Sequence, residues 1–266
     1  MDTAKNQNLR NRVLIVIGVI VLVAVGIILQ LGWQVFDSLG FGGGTIEITV
    51  PTAETLVFLD TNEKAFTTQD NQRVVLEKIS SGPHLIIISK ENFWPWAKTV
   101  EIERNQIIKL HPFYIPQRLD AETILPADPR WIEASNSATK AEAPSEDAKS
   151  SSQDSNTTLW VENNKIFVGW TGSQNSTPHY FCKADLCGER IEVFTGLSNI
   201  INAEFMNGRN DVVIFSNADG IFAIEIDKNE TQNFQPIMRT GSPKFSKTKD
   251  GLFVQAGGEI RFIALQ

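Results

Sequence analysis

The stretch DVVIFSNADGIFAIEID, Asp211–Asp227, reads as strand, turn and strand. Two runs of Val, Ile and Phe flank Ala218-Asp219-Gly220, and β-branched and aromatic residues on both sides of a Gly-containing turn are the mark of a hairpin. The same plan recurs on either side of it. TLWVENNKIFVGW (Thr158–Trp170), HYFCKADLCGERIEVF (His179–Phe194) and DGLFVQAGGEIRFIAL (Asp250–Leu265) each place apolar runs around a turn. The turns are marked by Asn163-Asn164, Gly188 and Gly257-Gly258. Phe205 with the Asp211 hairpin aligns with Phe245 and the Gly251 hairpin at a spacing of about 40 residues, a period typical of propeller blades. Residues 157–266 are therefore expected to form a β-meander or partial propeller-like domain. Their length suffices for about two and a half blades where closure needs about four, so open sheet edges should remain, and these can pair with another copy of the chain.

Outward toward the N-terminus, residues 116–156 change character. Residues 116–156 are expected to be a disordered linker, because Ala134–Asn156 within them contains no Val, Ile, Leu, Met, Phe, Trp, Tyr or Cys and offers little apolar area against its ordering entropy. Before it, residues 45–115 carry about six short runs with period-two alternation: TIEITV, TLVFLD, RVVLEKI, HLIIISK, TVEIE and QIIKLH. A small antiparallel β-sandwich is the expected solution. Further out, Val13–Phe36 has no charged residue, and a bilayer core of ~30 Å needs ~20 apolar residues in a helix. This predicts a transmembrane helix over 13–36, used as an uncleaved signal anchor, with residues 37–44 as a tether. Lys5, Arg10 and Arg12 precede it and the next basic residue is Lys64, which predicts a cytoplasmic tail at 1–12 and an extracytoplasmic location for the bulk of the chain. The expected fold class is thus mainly β: an N-terminal transmembrane helix, a small sandwich, then the propeller-like region.

Residues 45–115 resemble a PEGA domain, a small extracytoplasmic β-sandwich of bacterial and archaeal envelope proteins. The resemblance is carried by Gly44 with TIEITVP, by TLVFLD with Asp60 in place, by Ser81-Gly82-Pro83-His84 leading LIIIS, and by the aromatic turn ENFWPW. Departures are Pro51-Thr52-Ala53-Glu54 at the opening turn, Thr61 after Asp60, and Asn92 where Gly is usual. The layout of the whole chain resembles membrane-anchored bacterial envelope proteins with a degenerate propeller-like C-terminal region. The resemblance implies a surface location and a binding or structural role, and carries no catalytic residues.

The chain has 266 residues, a net charge of -7 and a pI near 5.1, a balance that excludes nucleic acid as the expected partner. G-x-S-x-G, Walker A, H-E-x-x-H and G-x-G-x-x-G are all missing, so no catalytic, cofactor or metal residue is assigned. Cys182 and Cys187 read as a disulfide in an oxidising compartment; free thiols, or a metal half-site with His179 that lacks a fourth ligand, are the alternatives. His84 and His111 read as turn histidines, and Asp211, Asp219 and Asp227 as turn and strand-end carboxylates rather than a calcium loop. Phe93, Trp94 and Trp96 are the candidate binding surface, with a split expected between rings that plug the sandwich and rings that face out. The expected function is non-catalytic: a membrane-anchored envelope protein presenting β domains to a protein or a cell-wall glycan, without cofactor. The competing expectations are an envelope hydrolase, or a sensor or assembly factor working with a membrane partner.

Overall fold

Among the described residues the chain forms six sheets, none with more than four strands. The computed structural model describes residues 43–183, 186–229 and 231–265. The expected tail, membrane helix and most of the tether fall outside these residues. Among the described residues no helix is long and apolar enough to cross a membrane. The expected class is corrected accordingly, to a mainly β chain of several small sheets.

The described chain divides into two units, one of residues 43–49, 73–84 and 101–110, the other made of the stretches 50–72, 85–100 and the described residues from 111 onward. In the first, β1 (Gly44–Thr49) lies between β4 (Arg73–Ile79) and β7 (Ile107–Leu110). Ile46 and Ile48 are fully buried, while the alternate residues Thr45 and Glu47 are half-buried, so the period of two read in TIEITV is the period of the pleat. Ile48 meets Val74 on one side and Leu110 on the other. The pairing of β1 with β7 is parallel, which departs from the expected all-antiparallel sandwich. Parallel neighbours need a long crossover, and the chain between β1 and β7 supplies one.

In the second unit, β2 (Leu56–Leu59) turns back into β3 (Asn62–Phe66) and pairs with β5 (Gly82–Ser89), which is followed in the sheet by β6 (Trp96–Ile102). Asp60 and Thr61 both have positive φ, the requirement of a two-residue type I′ turn. Asp60 also accepts a 3.0 Å bond from the Leu85 amide through its side chain, which ties the turn to β5. Val57 opposite Ile88 and Leu59 opposite Ile86 form the buried face of this sheet.

The expected linker is instead built into the fold. It carries β8 (Ala121–Thr123), helix α1 (Trp131–Lys140) and β9 (Ser150–Ser151). Trp131, Ala134 and Ala138 follow helical spacing, and the two alanines are fully buried in a cluster with Ile124, Phe253 and Ile260. Counting large aliphatic side chains overlooks such a face, because alanine buries a helix by letting it approach closely. Polar residues of the same segment are also used: Ser137 bonds to Ser246 at 2.8 Å, and the Thr139 carbonyl accepts from Lys244 at 3.1 Å.

The C-terminal part forms three four-stranded sheets rather than two and a half repeats. The first orders β9, β10 (Thr157–Glu162), β11 (Lys165–Trp170) and β14 (Arg190–Thr195), with the short hairpin of β12 (Cys182–Lys183) and β13 (Leu186–Cys187) set between the last two in sequence. The second is a simple meander of β15 (Asn202–Phe205), β16 (Val212–Asn217), β17 (Gly220–Glu225) and β18 (Phe234–Arg239). The third runs β19 (Lys244–Lys247), β20 (Gly251–Ala256) and β21 (Glu259–Ala264), and is completed by β8 from the former linker. Leu159, Ile166, Val168, Val193, Val213, Phe215 and Ile224 make one core across the first two sheets.

Gly220 opens β17 with φ +152°, and a Cβ there would lie 2.2 Å from the Met238 carbonyl oxygen. Gly220→Ala is expected to destabilise the chain by ~1–3 kcal/mol, as overpacking against backbone does. Urea unfolding of the two proteins checks this; an unchanged midpoint would contradict the packing described.

Candidate functional site

Strand β6 reads WAKTVEI, and its alternation puts Lys98 on the same face as Trp96, Val100 and Ile102. All four are buried, with Lys98 only 4% exposed. A lysine at a core position needs partners for its charge and its three N–H donors. The C-terminal part of the same unit provides them. Lys98 Nζ lies 3.3 Å from Glu225 Oε2 and 3.0 Å from Asp227 Oδ2, and also reaches the backbone oxygens of Asp227 at 3.1 Å and Thr231 at 3.0 Å. Glu225 and Asp227 are each 6% exposed.

Asn233 completes this seam. Its Oδ1 accepts from the Ala97 amide at 2.9 Å, and its Nδ2 donates to the Ala97 carbonyl at 2.9 Å and to Glu225 Oε2 at 2.9 Å. A side-chain amide thus stands where a neighbouring strand would bond, and closes the edge of β6 at that residue. Gln235 adds a 3.2 Å bond to the Pro95 carbonyl, and Thr231 a 3.3 Å hydroxyl contact to Thr99.

His179 marks the rim. Its Nε2 lies 3.1 Å from Asp227 Oδ2, its ring stands edge-on to Tyr180, and its side chain is 77% exposed. Burial pushes the Glu225 carboxyl above the usual carboxylate range, against the opposing pull of Lys98 and the Asn233 amide. Burial acts on Asp227 in the same sense, but the His179 hydrogen bond and the Lys98 charge together hold its carboxyl below that range. The Tyr180 hydroxyl is pushed up by burial and by the carboxylates of Asp211, Asp227 and Asp154. Asp211 is itself fastened to Arg209, which also donates to the Pro112 carbonyl at 3.1 Å.

The residues singled out in the sequence are dispersed. Cys182 and Cys187 form a disulfide across β12 and β13. Leu186, next to it, is 82% exposed. His84 bonds to the backbone and hydroxyl of Ser80, and the His111 carbonyl accepts from Arg209. Asp211, Asp219 and Asp227 serve separate local contacts, and no group of three His, Cys, Asp or Glu side chains among the described residues could hold a metal ion.

The aromatic turn is corrected. Trp96 is 2% exposed and belongs to the core, so it cannot contribute to a binding surface. Phe93 and Trp94 are half-buried, and the Phe93 ring packs 5.7 Å from that of Tyr114. Tyr114 donates to Thr55, and burial pushes its hydroxyl up to about 12. The Lys98 cluster itself was missed, although period two in WAKTVEI already puts a charge on an apolar face, and Glu225 closes an otherwise apolar strand.

No protein-family model matches this chain. No curated protein matches it either, so the expected PEGA resemblance has no family match behind it. Among solved structures, one similar chain is a Bacteroides fragilis protein of unknown function, provisionally termed membrane-associated. It is 11% identical, with 83% of this chain and 93% of that chain covered, at a TM-score of 0.22. A likeness at that level carries no argument about fold or role.

Asn233→Ala removes both bonds to Ala97 and leaves the Ala97 backbone groups unpaired. The expected loss is ~1–3 kcal/mol of stability, the penalty for unsatisfied buried groups. Urea unfolding measures it, and a change within error would show that the amide is not what closes the β6 edge.

Proposed function

We propose that the chain is a non-catalytic binding or structural protein that works outside the cytoplasm, presenting β-sheet surfaces to a protein or glycan partner of the cell envelope. The observation that carries this reading is the state of the Lys98 cluster. Lys98 spends its ammonium on two carboxylates and two carbonyls, and Asn233 spends its amide on backbone. These groups hold the fold and are not available to a substrate. The Asp227–His179 pair has the form of an oriented base, but the only hydrogen-bond partner of the His179 side chain among the described residues is Asp227.

Two further features support the reading. A disulfide persists in oxidising compartments, which favours an extracytoplasmic location. Large apolar side chains are held out on the surface, with Leu186 beside the disulfide, Leu197 after β14 and Phe234 at the start of β18, and exposed apolar groups are what partner proteins and sugar faces contact.

Photo-crosslinking from position 186, combined with binding to immobilised cell-wall glycans and envelope proteins, tests the reading. Capture of a specific partner, weakened about tenfold by Leu186→Asp, is the expected result. Turnover of a peptide or polysaccharide substrate that is abolished in His179→Ala would overturn it in favour of a hydrolase.

A further inference from the structure

The Lys98 cluster is unbalanced in charge. One ammonium faces two carboxylates, and none of the three residues is more than 6% exposed. A buried net negative charge is costly unless water or a second cation compensates it. One added proton removes the imbalance. The Glu225 carboxyl, bonded through Oε2 to Lys98 and Asn233 and buried beside Asp227, is the group that takes it.

The position of the cluster gives this balance a mechanical consequence. The same atoms that carry the charges join β6 to the chain from Glu225 to Gln235. Glu225 Oε2 accepts from Lys98 and from Asn233 Nδ2, and Asn233 is the residue that pairs with the Ala97 backbone. We propose that the cluster is a proton-sensitive latch, which fastens β6 to the Glu225–Gln235 segment most firmly when it holds one added proton, and loosens when that proton leaves.

The surrounding charges agree with this assignment. Lys98 comes from β6, Glu225 from β17, Asp227 from the residue beyond Ile226, and His179 from the turn before β12, with the Tyr180 ring beside it. Asp211 with its partner Arg209, and Asp154, lie further out and act on Tyr180. The charges that act on Glu225 are those of Lys98 and Asp227.

The sign follows from linkage. Burial raises the Glu225 carboxyl above its unfolded value, so the folded chain holds a proton that the unfolded chain has released. Its contribution is present at low pH and is lost as the pH rises through the folded value. Asp227 runs the other way: its contribution is present above its unfolded value and is lost only as the pH falls through the lowered folded value. The latch is therefore firmest between the two, on the mildly acidic side.

Carbon-13 carboxyl titration of the full chain, with Glu225 assigned by the Glu225→Gln variant, tests the proposal alongside amide exchange at Ala97 corrected for intrinsic rates. Glu225 is expected to titrate above the ordinary glutamate value of about 4.3. Ala97 protection is expected to fall about tenfold as the pH rises through the folded Glu225 value, and to lose this dependence in Glu225→Gln. An ordinary Glu225 titration with constant Ala97 protection would overturn the proposal, as would a pH dependence that survives unchanged in Glu225→Gln. Should the variant fail to fold, the wild-type titration and exchange profile decide alone, with Glu225 assigned by through-bond correlation.

Discussion

The structure depends on one buried ammonium group. Lys98 occupies a place in β6 that its neighbours Trp96 and Val100 mark as core, and it can do so only because Glu225, Asp227 and two carbonyls surround it. Such an arrangement gives no cheap stability. Bringing three charged groups out of water costs several kcal/mol for each ion, and the attraction between them does little more than offset that cost. What the arrangement supplies is specificity. A greasy face can pack in many registers, whereas an ammonium that needs two carboxylates and two carbonyls has one. The cluster thus fixes which residue of β6 meets which residue of the β17–β18 connection, and Asn233 extends the same register to the backbone of Ala97.

The segment between the two halves of the sequence has a matching role. Residues 116–156 provide β8 as the fourth strand of the last sheet and α1 as a cover over Phe253 and Ile260. The chain therefore closes a C-terminal sheet with a strand made early, and does so inside the unit that also contains Lys98. A picture of two β domains on a loose tether is replaced by one in which the central segment is a working part of the core.

Much of the β architecture was legible. Period two in TIEITV and the turn pairs Asn163-Asn164 and Gly257-Gly258 act locally, through the pleat and through positive φ, so they can be read from short windows. The roughly 40-residue recurrence pointed to repeated hairpins, and hairpins are what the Asp211 and Gly251 segments form. The failures were non-local. The parallel partner of β1, the pairing of β8 with β21 and the burial of Ala134 and Ala138 depend on which distant segment arrives, and no window contains that information. The aromatic turn misled for a related reason: Trp96 looks like a ligand platform in isolation and is a core plug in its sheet. The Lys98 cluster was half legible. A charge on the apolar face of β6 and another inside the run IFAIEI were both visible as violations of pattern, but that they answer each other is a fact of the fold alone.

Native-state hydrogen exchange on the full chain and on Lys98→Ala tests the central claim most directly. If Lys98 fastens β6 to the C-terminal sheets, its removal leaves Glu225 and Asp227 buried without their cation and costs ~3–5 kcal/mol. Amides of β6 and of the β17–β18 connection should then lose protection together and by the same amount. Loss confined to the few residues around position 98, or a cost below ~1 kcal/mol, the level of an exposed ion pair, would contradict the account.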